Sequence, residues 1–122
     1  MSYDIIIVEK RKNILGKEYE MEENMERFMN KKVIVRGDRS GVFFGTLVEK
    51  NGREVTLENC RRLWYWDGAA SISQLAVDGT KRPSECKFTV SVNSIIILDA
   101  IEIIPCTEDA ISSIEGAKEW RI

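Results

Sequence analysis

The stretch Val42-Phe43-Phe44-Gly45-Thr46-Leu47-Val48-Glu49-Lys50-Asn51-Gly52-Arg53-Glu54-Val55-Thr56-Leu57 decides the fold class. β-Branched and aromatic residues fill both flanks, which suits a pleated, half-buried surface. Between the flanks, Asn51-Gly52 is a strong hairpin signal, because a type I′ turn needs φ > 0 at both central residues. With that turn Val48 faces Val55 and Thr46 faces Leu57, giving one consistent apolar face. The same register sets Glu49 opposite Glu54, a mildly unfavourable pair. Upstream, Val33–Arg36 reads as a strand and Gly37-Asp38-Arg39-Ser40-Gly41 as a turn. Downstream, the second strand runs on through Arg61-Arg62-Leu63-Trp64-Tyr65-Trp66 and ends at Asp67-Gly68.

Helix signals lie on either side of this β core. Ser71 and Gln74 form a capping box for a short helix over Ile72–Val77, stopped by Gly79. Phe88–Val92 and Ile95–Ile104 read as strands joined at Asn93-Ser94. Thr107 caps a last helix, with Glu108 and Asp109 at its positive end and Gly116 closing it. Near the N-terminus, Asp4–Val8 suits a short strand. Met21, Met25, Phe28 and Met29 fall at i, i+4, i+7 and i+8, one face of a helix that suits ordinary packing or a subunit contact. The expected fold class is α+β: a small curved antiparallel β-sheet or partial barrel with an N-terminal helix and two short helices. Residues 1–31 form an N-terminal extension with an oligomer-contact helix, and residues 32–122 form the ligand-binding β-rich domain.

Composition narrows the function. The 122 residues fit one domain, and 43% hydrophobic with 31% charged residues is the balance of a soluble globular protein. There is no histidine, which excludes Ser-His-Asp and Cys-His chemistry and every zinc site needing imidazole. Cys60, Cys86 and Cys106 are an odd number without a CxxC pair, as expected for thiols in a reducing cytoplasm. No basic n-region or membrane-length apolar run is present. Net charge is −2 overall, yet residues 31–90 hold eleven Lys and Arg against seven Asp and Glu, between acidic ends. That suits either a local anion site or charge pairing across the fold.

Arg61–Gln74 is the segment richest in recognition chemistry. Regular alternation puts Leu63 and Tyr65 on the Val55–Leu57 face, and Arg62, Trp64 and Trp66 on the other. Two indoles and a guanidinium on one face suit a nucleobase and a phosphate. The helix N-terminus at Ser71, with Gln74, offers amide and hydroxyl donors. The competing reading buries Trp64 and Trp66 in a core or a subunit interface. Arg39 sits in a glycine-bounded loop that is not a P-loop, since no G-K-S/T and no helix follow; a plain β-turn explains it equally. Asp67 reads as a turn former with Gly68. No nucleophile–base pair is legible, so binding without turnover is expected.

Several segments together carry a family resemblance. They are Val33-Ile34-Val35-Arg36, Gly41-Val42-Phe43-Phe44-Gly45, Arg61-Arg62-Leu63-Trp64-Tyr65-Trp66-Asp67-Gly68-Ala69-Ala70-Ser71-Ile72-Ser73-Gln74-Leu75-Ala76, Cys86-Lys87-Phe88 and Ile101-Glu102-Ile103-Ile104-Pro105-Cys106-Thr107. The succession, spanning Lys32 to Arg121, resembles a family of small phage and prophage proteins that includes the first-described Thoeris anti-defence sponge. The resemblance implies a protein that binds cyclic ADP-ribose isomers made by TIR-domain immune enzymes and sequesters them uncleaved. It implies cyclic trinucleotides as a second ligand class for some members, at a separate site. It also implies a homo-oligomer, a dimer or a dimer-based hexamer, with pockets between subunits.

The candidate ligand contacts are therefore Arg39, Arg61, Arg62, Trp64, Trp66, Ser71, Gln74 and Phe88, with no catalytic or metal-ligating residue and no cofactor. The expected partner is a small nucleotide, with neither membrane nor DNA. The alternatives are a single-strand nucleic-acid-binding module, since curved sheets with basic–aromatic faces serve that purpose, and a nucleotide-processing enzyme.

Overall fold

A computed structural model describes residues 26–122. The expected strand at Asp4–Val8 and the helix positions Met21 and Met25 lie outside the described residues. Phe28 and Met29 are described, and they pack against the protein's own sheet core.

Six strands form a curved antiparallel sheet: β1 (Lys32–Gly37), β2 (Val42–Asn51), β3 (Glu54–Tyr65), β4 (Lys87–Phe88), β5 (Val92–Ile97) and β6 (Ala100–Pro105). The order is β4-β3-β2-β1-β6, with β5 also paired to β3. Among the described residues two helices join them, α1 (Ile72–Asp78) and α2 (Glu108–Gly116), with a 3-10 turn at Pro83–Glu85. The α+β class with a curved sheet is the architecture expected. Among the described residues no helix is long and apolar enough to cross a membrane.

The sheet is buried on both faces, and β1 shows it best. Val33 and Val35 join Phe43, Leu47, Val55, Leu57, Cys60 and Ile97 in a cluster fed by five strands, the concave interior. Ile34 points the other way, into a second cluster with Phe44, Leu63 and Phe88. There the helices cover the convex face with Leu75, Ala76 and Ile114. Continuous apolar runs such as Val33-Ile34-Val35 are what two-sided burial demands.

Several local expectations need correction. The hairpin loop is Gly52-Arg53, with Asn51 paired to Glu54 and Lys50 to Val55. Only Gly52 of the two loop residues has positive φ, 61°, the pattern of a II′ rather than a I′ turn. The shifted register pairs Glu49 with Thr56 and removes the expected Glu49–Glu54 clash. Asn93-Ser94 is not a turn: Ser94 pairs with Glu58 inside β5, and the chain turns at Leu98-Asp99 instead. There Asp99 accepts hydrogen bonds from the Arg39 and Ser40 amides and the Ser40 hydroxyl, so it also ties down the Gly37–Gly41 turn. Ser71 caps α1 as expected, but Gln74 reaches back to the Ala70 amide rather than to that of Ser71.

The largest correction concerns β3. Asn59 has a left-handed φ of 49°, and Gly45 alone on β2 opposes the Asn59-Cys60 pair. This β-bulge shifts the alternation by one residue. Leu57 and Cys60 therefore share the interior, whereas Leu63 joins the helix-covered face. Gly45 permits the close approach: a Cβ there would lie 3.0 Å from the Glu58 carbonyl oxygen and 3.2 Å from Cys60 Cα.

Candidate functional site

Past the bulge, β3 runs out to Tyr65 and delivers two aromatic residues to the surface. Trp64 is 63% exposed and Tyr65 50%. A third ring arrives from the C-terminal tail after α2, where Trp120 is 46% exposed. The Trp64 and Trp120 rings stack with centroids 6.2 Å apart and planes inclined by 19°. Lys87, from β4, places its ammonium 5.4 Å from the Trp120 centroid and 6.0 Å from that of Tyr65. Near-parallel indoles with a cation beside them form a platform that can stack a planar ring and attract an anion.

The expected site residues separate into distinct roles. Trp66 does not share this platform; β3 ends at Tyr65, and Trp66 packs half-buried against the helix-side core. Arg62 turns toward the Gly37–Gly41 turn, stacks 4.5 Å over the Phe43 ring and donates to the Ser40 carbonyl oxygen at 2.6 Å. The expected common face of Arg62, Trp64 and Trp66 is thus not formed, because the strand is irregular on both sides of this segment: the ladder to β4 shifts again between Leu63 and Tyr65. Arg39 is exposed on the Gly37–Gly41 turn, its amide held by Asp99. Ser71 and Gln74 spend their groups on capping α1. Phe88 is fully buried and offers no surface to a ligand.

Arg61 is the opposite of a surface contact. At 5% exposure it donates from Nε to the Thr89 carbonyl at 2.9 Å and from Nη1 to those of Ile114 and Ala117 at 2.7 and 2.9 Å. Nη2 donates to the Phe88 carbonyl at 3.1 Å. Burial lowers its pKa from the ordinary arginine value, and Glu119 opposes that shift. Four carbonyl oxygens are what let a guanidinium stay in this interior.

Chemistry beyond binding finds few groups. Burial pushes the thiols of Cys60 and Cys106 up to about 12, so neither is a thiolate at neutral pH. Among the described residues no three His, Cys, Asp or Glu side chains converge as a metal site. Clefts also open on the described residues. One of about 340 Å³ is lined by Asn59, Arg61, Ser91, Glu115 and Glu119, and one of about 500 Å³ sets Arg27, Lys31 and Lys32 against Glu108 and Glu115. Both mix charges of opposite sign. Trp120 and Lys87 were not singled out from sequence. Neither belongs to a periodic pattern with Trp64, and only the tertiary fold brings the three together.

Comparison with solved structures finds similar chains, two of them Sm proteins. A Pyrococcus abyssii Sm protein, solved in complex with a uridine heptamer, is 17% identical with TM-score 0.46, covering 68% of this chain and 93% of that one. A heptameric archaeal Sm protein is 14% identical with TM-score 0.45, covering 70% of this chain and 98% of its own. No curated protein matches. Residues 30–114 match the domain of unknown function DUF6948, well over half of the chain, so this protein belongs to the DUF6948 family.

Proposed function

We propose that this chain is a non-catalytic nucleotide-binding protein, which stacks a base on the Trp64–Trp120 platform and meets a phosphate with Lys87. The observation that carries this reading is the exposed, near-parallel indole pair, 6.2 Å between centroids. A base stacked on an aromatic side chain contributes about 1–3 kcal/mol. The lack of histidine and the raised thiols of Cys60 and Cys106 support binding without turnover. Within this class, the sequence resemblance points to a cyclic ADP-ribose isomer held uncleaved, with a cyclic trinucleotide as a second ligand and a dimer or dimer-based hexamer as the assembly. A second reading is a single-strand nucleic-acid-binding module. The openness of the platform favours it, because an extended strand needs a surface rather than an enclosed pocket.

Titration calorimetry with cyclic ADP-ribose and, separately, with oligoadenylate at several salt concentrations tests both readings. Saturable cyclic ADP-ribose binding, with the ligand recovered unchanged by mass spectrometry, supports sequestration. Length-dependent and steeply salt-dependent oligoadenylate binding supports the second reading. Binding of neither overturns the nucleotide assignment. Linear ADP-ribose above the protein-free control makes the protein an enzyme. Light scattering reports the assembly, with a mass above 14.0 kDa expected.

A further inference from the structure

We infer that Arg61 is a positioning residue of the nucleotide site: it sets Trp120 against Trp64 without touching ligand. This rests on the reading of the platform as a nucleotide site. The platform is assembled from three separate pieces of chain, and each has an Arg61 contact within three residues. Trp64 follows Arg61 on β3. Lys87 precedes Phe88, whose carbonyl accepts from Arg61 Nη2. Trp120 follows Ala117, whose carbonyl accepts from Arg61 Nη1. The pieces also meet at one atom, because the Phe88 carbonyl oxygen accepts both from Arg61 and from the Trp120 amide, the latter at 2.7 Å.

The tail's other anchors include the buried Ala117 side chain and a 3.4 Å hydrogen bond from the Ser91 amide to Glu119 Oε2. Glu119 lies beside Phe88 in an isolated parallel bridge, and the α2 C-terminus is held through the Ile114 carbonyl, again by Arg61 Nη1. Four of the five guanidinium N–H groups are committed to these carbonyls and to that of Thr89. Committed in this way, they are not offered to a ligand. A lysine offers three donors from one point and cannot span four acceptors in a plane. The geometry therefore makes the second indole a fixed wall of the site. The ligand it suits carries a planar aromatic base that stacks on the exposed indole pair, with an anionic group at Lys87.

The experiment compares wild type with Arg61→Lys, Trp64→Ala, Trp120→Ala and the remote Arg36→Lys. Far-ultraviolet circular dichroism reports both the sheet and the coupled signal of the two indoles, and calorimetry uses cyclic ADP-ribose and oligoadenylate as probes. Arg61→Lys is expected to keep the sheet signal, lose the indole coupling and weaken binding about tenfold or more, as is Trp120→Ala. Arg36→Lys is expected to change neither. A folded Arg61→Lys protein with wild-type coupling and affinity overturns the inference and leaves the nucleotide reading standing. A folded Trp64→Ala protein that binds like wild type overturns the nucleotide reading itself. Should Arg61→Lys fail to fold, Arg61→Gln, which keeps two donors without the charge, is measured in its place. Failure of both to fold makes Arg61 a core residue only, and also overturns the inference.

Discussion

The two halves of β3 differ in composition, in partners and in fate. From Glu54 to Cys60 the strand is paired on both edges, by β2 and β5, and sends Val55, Leu57 and Cys60 into the interior. From Arg61 to Tyr65 its partner on the second edge is β4, only two residues long, and the strand ends on two exposed aromatic rings. Asn59 separates the halves. Its left-handed backbone inserts one residue, rotates the following side chains to the other face, and places Arg61 in the core and Trp64 at the surface. Adjacent arginines show the consequence. Arg61 holds four carbonyls together, whereas Arg62 covers one ring and makes one hydrogen bond to Ser40 in the Gly37–Gly41 turn.

The largest effect expected from breaking this contrast is on stability. Arg61→Ala leaves buried carbonyls without donors and should cost about 3–5 kcal/mol. Arg62→Ala should cost only about 1–2 kcal/mol, because one hydrogen bond and one half-exposed cation–π contact are lost. Urea denaturation of the two variants measures the difference, and equal losses would show that the halves of β3 are not distinct. Next in size is the bulge itself. Gly45→Val pushes a side chain toward the Glu58 carbonyl and Cys60 Cα and should destabilise by about 1–3 kcal/mol. A Gly45→Val protein as stable as wild type would mean that the bulge does not need close backbone approach.

Smaller effects sharpen the picture at the Gly37–Gly41 turn and in the core. The Ser40 hydroxyl, then the Arg39 and Ser40 amides, hold the Asp99 carboxyl below its ordinary range. A lowered folded pKa contributes stability above the unfolded value of about 3.9, which is lost as pH falls through the folded one. Asp99→Asn should therefore be less stable than wild type at neutral pH, and the gap should close in acid. A gap that stays constant from neutral pH to strong acid would remove Asp99 ionisation from the turn's stability. Last, Cys60 and Cys106, pushed up to about 12 by burial, should resist a thiol reagent at pH 8 until denaturant is added. Rapid labelling of either in the native protein would show that its cluster opens.

Much of the local structure was legible because it depends on neighbours a few residues apart. Ser71 and Thr107 cap their helices with bonds to the Gln74 and Ala110 amides, three residues on. Gly79 ends α1, and Val33–Arg36 lies within a strand as its β-branched run requires. The candidate site was legible in part. Trp64 was named and is on the platform, but its partners Trp120 and Lys87 were not. Trp66, two residues from Trp64, went to the core, because the chain leaves β3 after Tyr65 and no longer alternates.

The amino-acid sequence by itself determined the α+β class, the places of most described strands and of helices α1 and α2, and the absence of histidine chemistry. These follow from side-chain periodicity, capping and composition, which act over one or two turns of chain. Only the tertiary structure decided which face each residue after Asn59 occupies, where the β5–β6 turn falls and what Arg61 binds. Those outcomes depend on Gly45, Asp99 and the carbonyls of Phe88, Ile114 and Ala117, partners remote in sequence. A one-residue bulge reverses a strand's faces while scarcely changing its composition, so alternation read along the chain does not reveal it.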